Sequence, residues 1–271
     1  MQSQFNVENE TIADLLLDAG NSRLKWAWVR RGRLQRGGTL AYTPRRQFDN
    51  RLRRLLRQAT CAGRVLVCSV AGADVDRSIR RAARAAQLRA PQFARSARRA
   101  AGVTNAYVEP WRLGVYRWVA MIGARQLFPG EALCLVSVGT ALTLDLLAAS
   151  GRHRGGAIVP GPALMVQTLL ERTAGIRRRA RGGAGAGRSL YARDTRAAIE
   201  TGARHACVGV IERALAEGGR RLGRRPGLVL SGGGAAGLLS LLGGARRRDD
   251  LVMRGLLALA AGARAGSRQK R

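Results

Sequence analysis

The feature of the sequence that most restricts its fold is a short pattern that occurs twice. Residues 15–25 read LLLDAGNSRLK, and residues 135–145 read LVSVGTALTLD. In each copy an apolar strand ends at a small polar turn around a glycine, and the chain then resumes with alternating polarity. Such turns expose backbone N–H groups with no side chain in the way, so a phosphate can approach closely. The pattern predicts two phosphate-binding turns, one in each half of a duplicated chain.

The segments that follow each turn support this duplication, because strand and helix signals alternate in both halves. Phe48, Leu52, Leu55 and Leu56 recur at helical spacing, and residues 195–219 form a long amphipathic pattern. Buried strands are predicted before and after these helices. The sequence therefore predicts an α/β protein made of two similar halves that face each other across a cleft.

The overall composition is that of a globular protein, since 46% of the 271 residues are hydrophobic. No apolar run reaches the ~18 residues that a membrane span requires. The first residues are polar and acidic and show no signal-peptide pattern, so we expect a cytoplasmic protein. The four cysteines lack C-x-x-C spacing and there are only two histidines, which does not favour a zinc site.

The charge is strongly positive, with a net value of +31, and only two of the 48 basic residues are lysines, Lys25 and Lys270. Such a field attracts anions, including nucleotides and phosphorylated metabolites. The arginines are spread along the chain, and aromatic residues amount to only 4%. A uniformly arginine-rich surface explains this pattern as well as a nucleic-acid surface does. Non-specific nucleic-acid binding is the only nucleic-acid role that the charge alone indicates.

Five ordered motifs give the chain a resemblance to a known family. They read LLLDAGNSRLKW, YVEPWRLGVYRW, VGTALTLD with GRHRGGAIVPGPALM, TRAAIETG and LVLSGGG, and they span residues 14–240. On these motifs the chain resembles type III pantothenate kinase, the family also called Bvg accessory factor-like proteins. That family belongs to the superfamily of acetate and sugar kinases, heat-shock chaperones and actin.

The resemblance implies ATP-dependent phosphorylation of the 4′-hydroxyl of pantothenate, the first step of coenzyme A synthesis. It also implies Mg²⁺, a monovalent cation (K⁺ or NH₄⁺) and a homodimer. The implied fold has two ribonuclease-H-like domains, each a mixed sheet flanked by helices. We expect an N-terminal extension over 1–13 that is dispensable for ligand binding, domains over 14–125 and 126–263, and a basic tail over 264–271.

The resemblance assigns ATP binding to the two glycine turns. The ATP-binding residues would be Asp18, Ala19, Gly20, Asn21, Ser22, Arg23, Leu24, Lys25 and Thr140. Asp18 can hold a hydrated divalent ion, and Lys25 supplies positive charge to the phosphates. Without the other motifs, the first turn would read as an ordinary hairpin turn. The glycines at 232–234 resemble the turn on the adenosine side, although glycine also serves close packing.

The resemblance assigns substrate binding to a second set of residues. They would be Tyr107, Gly114, Val115, Tyr116, Arg117 and Thr195. Arg117 can pair with the substrate carboxylate through two hydrogen bonds, although the sequence alone would make it one more surface arginine. Thr195 would otherwise be a hydroxyl at a helix N-terminus. Asp145, on the strand after the second turn, is as compatible with a structural role, as a cap or as the partner of an arginine, as with a role in the phosphate site.

Two positions depart from the family pattern. The family has an aspartate as general base where this chain has Tyr116, and an aspartate near the monovalent cation where it has Ser137. A tyrosine with an ordinary pKa near ~10 is a poor base at neutral pH. Glu109 is the nearest carboxylate in sequence to Tyr116 that could substitute. Since a general base contributes about 10²–10⁴-fold, we expect a weakened kinase.

Two other hypotheses remain open at this point. One is a catalytically inactive member that keeps the nucleotide cleft and acts as a nucleotide-binding or regulatory accessory protein. The other is an accessory protein associated with nucleic acid, which the charge suggests but for which the sequence contains no helix-turn-helix or other reading module.

Overall fold

The computed structural model describes residues 14–59, 63–183, 185, 187 and 189–268. The expected extension over 1–13 and the last three residues of the expected tail lie outside the described residues. The chain divides into two compact units. Among the described residues, the first comprises those within 14–101, 109–126 and 252–268, and the second those within 102–108 and 127–251.

The first unit is built on a five-stranded mixed sheet. Its elements are β1 (Asp14–Ala19), β2 (Arg23–Arg30), β3 (Arg33–Ala41), α1 (Arg45–Gln58), β4 (Arg64–Ser69), α2 (Ala73–Ala85), β5 (Gln92–Phe93), β6 (Arg99–Ala100), α3 (Val115–Leu127) and α8 (Leu251–Arg268). The strand order is β3-β2-β1-β4-β5. β2 runs antiparallel to β1 and β3, whereas β4 runs parallel to β1 and β5.

The core of this unit lies where α1 and α2 pack on the sheet. All six residues of β1 are buried, because β1 is the central strand. Leu15 and Leu17 meet the apolar side of α1 there. That side consists of Phe48, Leu52, Leu55 and Leu56, so the predicted helical face is confirmed. A 3₁₀ turn occupies Pro110–Arg112, and α3 starts after Gly114.

The last helix, α8, returns to the first unit. A Cβ atom on Gly255 would lie 2.0 Å from the carbonyl oxygen of Val119 in α3, so the two helices pack with their backbones in contact. Arg64 donates to both carboxylate oxygens of buried Asp14, at 2.9 and 3.0 Å, and to the carbonyl oxygen of Ala260 at 2.8 Å. By compactness the second unit ends at residue 251, and α8 continues to Arg268; the domain boundary predicted at 263 stays a prediction.

The second unit repeats the sheet of the first. Its elements are β7 (Val103–Thr104), β8 (Leu133–Val138), β9 (Ala141–Leu147), β10 (His153–Pro160), α4 (Pro162–Arg172), α5 (Ala174–Arg179), α6 (Thr195–Leu222), β11 (Gly227–Ser231), α7 (Ala236–Leu239) and β12 (Arg246–Arg247). The strand order is β10-β9-β8-β11-β12. The first three strands are antiparallel neighbours, and the last three are parallel.

When the five strands of each sheet are numbered in chain order, both sheets have the same spatial order from edge to edge: third, second, first, fourth, fifth. The predicted duplication of a ribonuclease-H-like α/β unit is thus confirmed. Each glycine turn joins the first and second strands of its sheet. Within the part of the chain that the structure describes, no helix has the length and apolar character of a membrane span.

Candidate active site

The first glycine turn places a carboxylate and an amine side by side. Asp18 on β1 lies directly opposite Lys25 on β2, and its neighbour on β4 is Cys68. Residues that pair directly across strands have side chains on the same sheet face. Asn21 and Ser22, at the tip of the turn, are exposed. The predicted motif therefore forms one local group of a carboxylate, a cation and exposed polar backbone.

Asp18 is in an unusual environment for a carboxylate, since only 4% of its surface is exposed. Burial raises the pKa of Asp18 from 3.8 to about 6, although the charge of Lys25 acts in the opposite direction. Its Oδ1 atom is buried and has no hydrogen-bond partner among the described residues. An orphaned buried carboxylate oxygen is the kind of atom that a hydrated divalent cation satisfies. The residue present thus fits the metal role that the family implies.

The backbone of this turn is held by Tyr42, which the sequence analysis did not identify. The Tyr42 hydroxyl donates to the carbonyl oxygen of Gly20 at 2.8 Å. Its ring packs edge-on against Phe48 of α1, with centroids 5.1 Å apart. Burial, followed by the charges of Asp18 and Asp76, raises the pKa of Tyr42, so the hydroxyl remains a hydrogen-bond donor. No local pattern could reveal this contact, because Tyr42 is 22 residues from Gly20.

The second glycine turn is confined by other glycines. Gly139 and Thr140 are exposed, and the carbonyl oxygen of Thr140 accepts from the N–H of Gly161 at 2.8 Å. A Cβ atom on Gly161 would lie 2.1 Å from the carbonyl oxygen of Gly139. One on Gly232 would lie 2.5 Å from the carbonyl oxygen of Val138. The glycines after β10 and β11 therefore allow close backbone packing that fixes the shape of the turn.

Ser137, at the position of the family aspartate, belongs to a row of hydroxyl groups. It lies opposite Thr143 on β9 and Ser231 on β11. Ser137 and Thr143 are half-buried, and Ser231 is 8% exposed. Neutral oxygens can join the coordination shell of a monovalent cation, but they contribute no charge. The described residues contain no cluster of three or more His, Cys, Asp or Glu side chains suited to a metal ion.

The substrate segment of the first unit lies at the start of α3. Gly114 precedes the helix, and its carbonyl oxygen accepts the N–H of Trp118 at 3.1 Å. Val115 and Tyr116 are half-buried in the first turn, and Arg117 is only 7% exposed. The unpaired N–H groups of a helix N-terminus favour anions. Arg117 is thus one of the few buried arginines, unlike the surface arginine that its sequence alone would suggest.

Glu109 is poorly placed to replace the missing base. Its carboxylate forms an ion pair with Arg112 and accepts from the Trp111 indole N–H at 3.2 Å. All three residues belong to the exposed 3₁₀ turn or its cap. The carboxylate is therefore held on its own turn by two donors.

The remaining residues predicted to bind substrate, Tyr107 and Thr195, lie in the second unit. Thr195 is the first residue of α6, but the helix is capped by Asp194, whose Oδ1 accepts from the N–H of Ala197 at 2.9 Å. The Thr195 hydroxyl is therefore not needed for the cap. Tyr107 is half-buried, and its ring stacks on that of His153 with centroids 6.1 Å apart.

Asp145 has a partner that the sequence analysis did not consider. It faces His153, with 2.9 Å between Oδ1 and Nε2, where the sequence suggested a cap or an arginine. The pairing follows from the β9–β10 hairpin, which brings the start of β10 back along β9.

The predicted site residues divide between the two units. The first unit carries Asp18 to Lys25 and Gly114 to Arg117, and the second carries Tyr107, Ser137, Thr140 and Thr195. Within each unit the structure brings a phosphate-type turn and candidate substrate groups onto one α/β scaffold.

Comparison with known proteins identifies the family of this arrangement. The family model of type III pantothenate kinase matches residues 14–217. A type III pantothenate kinase of Nitrosococcus oceani is 35% identical over 260 residues, covering 91% of this chain and 93% of the relative. One from Aromatoleum aromaticum is 40% identical over 257 residues, covering 91% and 97%.

Solved structures share the fold at lower identity. A Baf family transcriptional activator from Campylobacter jejuni matches with a TM-score of 0.59 and 17% identity, covering 93% of this chain and 99% of that one. A 2-dehydro-3-deoxygalactonokinase protein from Sinorhizobium meliloti matches with a TM-score of 0.57 and 16% identity, covering 93% and 98%.

Proposed function

The chain belongs to the type III pantothenate kinase family, and on that basis we propose that it transfers the γ-phosphoryl group of ATP to the 4′-hydroxyl of pantothenate. This reaction is the first step of coenzyme A biosynthesis. The observation that carries the proposal is the family match over residues 14–217, together with relatives of that name that align over 91% of the chain.

Each glycine turn is a proposed phosphate-binding element of its own unit. Asn21 and Ser22 in the first turn and Thr140 in the second are exposed, and tight turns of this kind are suited to phosphate oxygens. Lys25 adds a positive charge next to Asp18, the residue that would hold Mg²⁺ through water. Bound Mg²⁺ would neutralise charge that develops on the phosphates. The hydroxyl row at Ser137 is where a monovalent cation, K⁺ or NH₄⁺, would bind.

Pantothenate would be oriented mainly by Arg117. A guanidinium group can pair with a carboxylate through two parallel hydrogen bonds, and burial strengthens such a pair. Arg117 is 7% exposed and follows the N-terminus of α3, where free N–H groups also favour a carboxylate. Tyr107 and Thr195 are the proposed substrate residues of the second unit.

The step that we expect to be slower in this chain is proton removal from the 4′-hydroxyl. Tyr116 occupies the base position, and Glu109 is engaged by Arg112. Phosphoryl transfer runs through a loose transition state, where positioning and charge matter more than early deprotonation. The proton can then leave with an oxygen of the transferred phosphoryl group. We therefore propose a functioning kinase that is slower by about 10²–10⁴-fold than one with an aspartate.

The decisive experiment measures ADP release and phosphopantothenate formation by purified protein with ATP, Mg²⁺ and K⁺. We expect slow turnover, and an increase of about 10²-fold or more in kcat for Tyr116→Asp. Tyr116→Phe is the matched control, since it removes only the hydroxyl and should leave kcat within about 2-fold. Absence of product from the natural chain and from Tyr116→Asp, Ser137→Asp would refute the proposal.

A second candidate function rests on the same two substitutions. If Tyr116 and Ser137 abolish turnover, the chain is a nucleotide-binding or regulatory member of the family. Calorimetry distinguishes this case, because such a protein binds ATP or pantothenate but forms no product. Product formation by the natural chain would rule it out.

We further propose that the protein is a cytoplasmic homodimer. Exposed apolar side chains on β10 and α4 support this: Ile158 is 61% exposed and Leu169 is 40% exposed. Light scattering should give twice the chain mass, and Ile158→Asp should lower it. Nucleic-acid binding, by contrast, should be purely electrostatic and should be lost as salt is raised.

A further inference from the structure

A buried histidine and a buried carboxylate lie directly beneath a residue of the candidate substrate site. His153 is 1% exposed and Asp145 is 3% exposed. Nε2 of His153 lies 2.9 Å from Oδ1 of Asp145, although neither ring nitrogen has a well-aligned hydrogen bond among the described residues. The contact is thus an electrostatic pairing. On the His153 ring lies the ring of Tyr107, inclined by only 13°.

The backbone around Tyr107 is fixed to the same hairpin. Thr104 forms a parallel bridge with Arg152, and its N–H donates to the carbonyl oxygen of Gly151 at 3.0 Å. The N–H of Tyr107 donates to Oδ1 of Asn105 at 3.0 Å. The base of the segment is therefore anchored beside the β9–β10 turn, and the Tyr107 ring extends over His153.

Stability alone is a weak reason for a buried polar pair. Removing two polar groups from water is costly, and apolar residues of similar volume often serve equally well. A buried pair of this kind can instead fix one geometry. Asp145 restricts the imidazole plane, and the imidazole plane sets the orientation of the ring stacked on it, since aromatic pairs within about 7 Å prefer defined geometries.

We propose that the Asp145–His153 pair positions Tyr107 for pantothenate, so that His153 is a positioning residue of the substrate site. The inference rests on the proposed function for the identity of the substrate. It predicts an effect on pantothenate that ATP does not share, because Asp145 lies five residues along the extended chain from Thr140, about 16 Å, and Tyr107 belongs to neither glycine turn. His153 would not touch the reacting atoms.

The kinetic test compares His153→Gln with the natural chain. Loss of the ring stacking should raise KM for pantothenate by about 2- to 10-fold, with kcat and KM for ATP nearly unchanged. In a Tyr107→Leu background the same substitution should add little. His153→Phe, Asp145→Leu keeps an aromatic ring but removes the pairing that orients it, and should leave KM for pantothenate raised. His205→Gln, at the other histidine of the chain, is the matched control.

Equal effects of His153→Gln on both KM values, or additive effects with Tyr107→Leu, would overturn the proposal. If turnover is too slow to measure, calorimetry gives the Kd for pantothenate, and the same variants are then compared by their Kd values. An activity-independent readout uses the two histidine ring signals in an NMR spectrum. Tyr107→Leu should shift the His153 signal and leave the His205 signal in place, and an unchanged His153 signal would count against the stacking.

These readouts separate the two proposals. If the natural chain neither binds nor phosphorylates pantothenate, the proposed function fails. The NMR comparison still decides whether His153 orders Tyr107.

Discussion

Replacing Asp18 by asparagine should make the ligand-free protein more stable at neutral pH while removing the proposed metal ligand. Asp18 is 4% exposed, and burial raises its pKa from 3.8 to about 6. The native state therefore binds the proton more tightly than the unfolded chain does. Stability is lost as the pH rises from about 4 through 6, because folding then buries an ionised carboxylate.

The size of the effect follows from the separation of the two pKa values. Each pH unit corresponds to ~1.4 kcal/mol, so ionised Asp18 costs about 3 kcal/mol above pH 7. Asparagine carries no charge to bury. Asp18→Asn should thus be up to ~3 kcal/mol more stable at pH 8, and the gain should vanish near pH 4. For a protein of this size that raises Tm by roughly 5–10 °C at pH 8.

The assay is thermal unfolding followed by circular dichroism at pH 4, 6 and 8, with EDTA and without nucleotide. Asp74→Asn is the matched control, because Asp74 is an exposed carboxylate of the same unit and its pairing with Arg77 should contribute little. Adding Mg²⁺ and ATP should raise the Tm of the natural chain but not that of Asp18→Asn. The reasoning is refuted if the difference in Tm between Asp18→Asn and the natural chain is no larger at pH 8 than at pH 4.

Three further substitutions test the surroundings of the site. Tyr42→Phe removes the hydrogen bond to the first turn and should raise KM for ATP by about 2- to 10-fold in steady-state kinetics; an unchanged KM would contradict the positioning role of the hydroxyl. Gly161→Ala forces a Cβ against the Gly139 carbonyl and should lower kcat/KM for ATP by about 10²-fold, whereas Gly187→Ala, with open space around it, should not. Arg64→Leu removes the two guanidinium hydrogen bonds to the buried carboxylate of Asp14 and should reduce the free energy of unfolding in urea by about 3–5 kcal/mol; a loss below 1 kcal/mol would show that the pair is unimportant.

The parts of the fold that could be predicted from sequence are those with local causes. The spacing of Phe48 and Leu52 requires only an α-helix, and the turn around Gly20 requires only its own residues. Contacts distant in sequence could not be predicted. The bond from Tyr42 to Gly20 depends on how three strands align, and the return of α8 depends on close packing at Gly255.

The candidate site shows the same division. Its motif residues could be identified because each phosphate turn is continuous in sequence. The pairing of Asp145 with His153 could not, since an aspartate on a strand is compatible with several partners until the β9–β10 register is known. Likewise, only the structure shows that Arg117 is buried and that Glu109 is already engaged by Arg112.

The glycine packing around residues 138–140 has a consequence for how this enzyme can evolve. The shape of the second turn is set by backbone contacts from Gly161 and Gly232, and none of these involves the Ser137 side chain. The geometry of the turn therefore does not depend on whether residue 137 carries a charge. A lineage can lose the carboxylate at position 137 while retaining the nucleotide-binding framework, and a later substitution to aspartate would restore it within that framework.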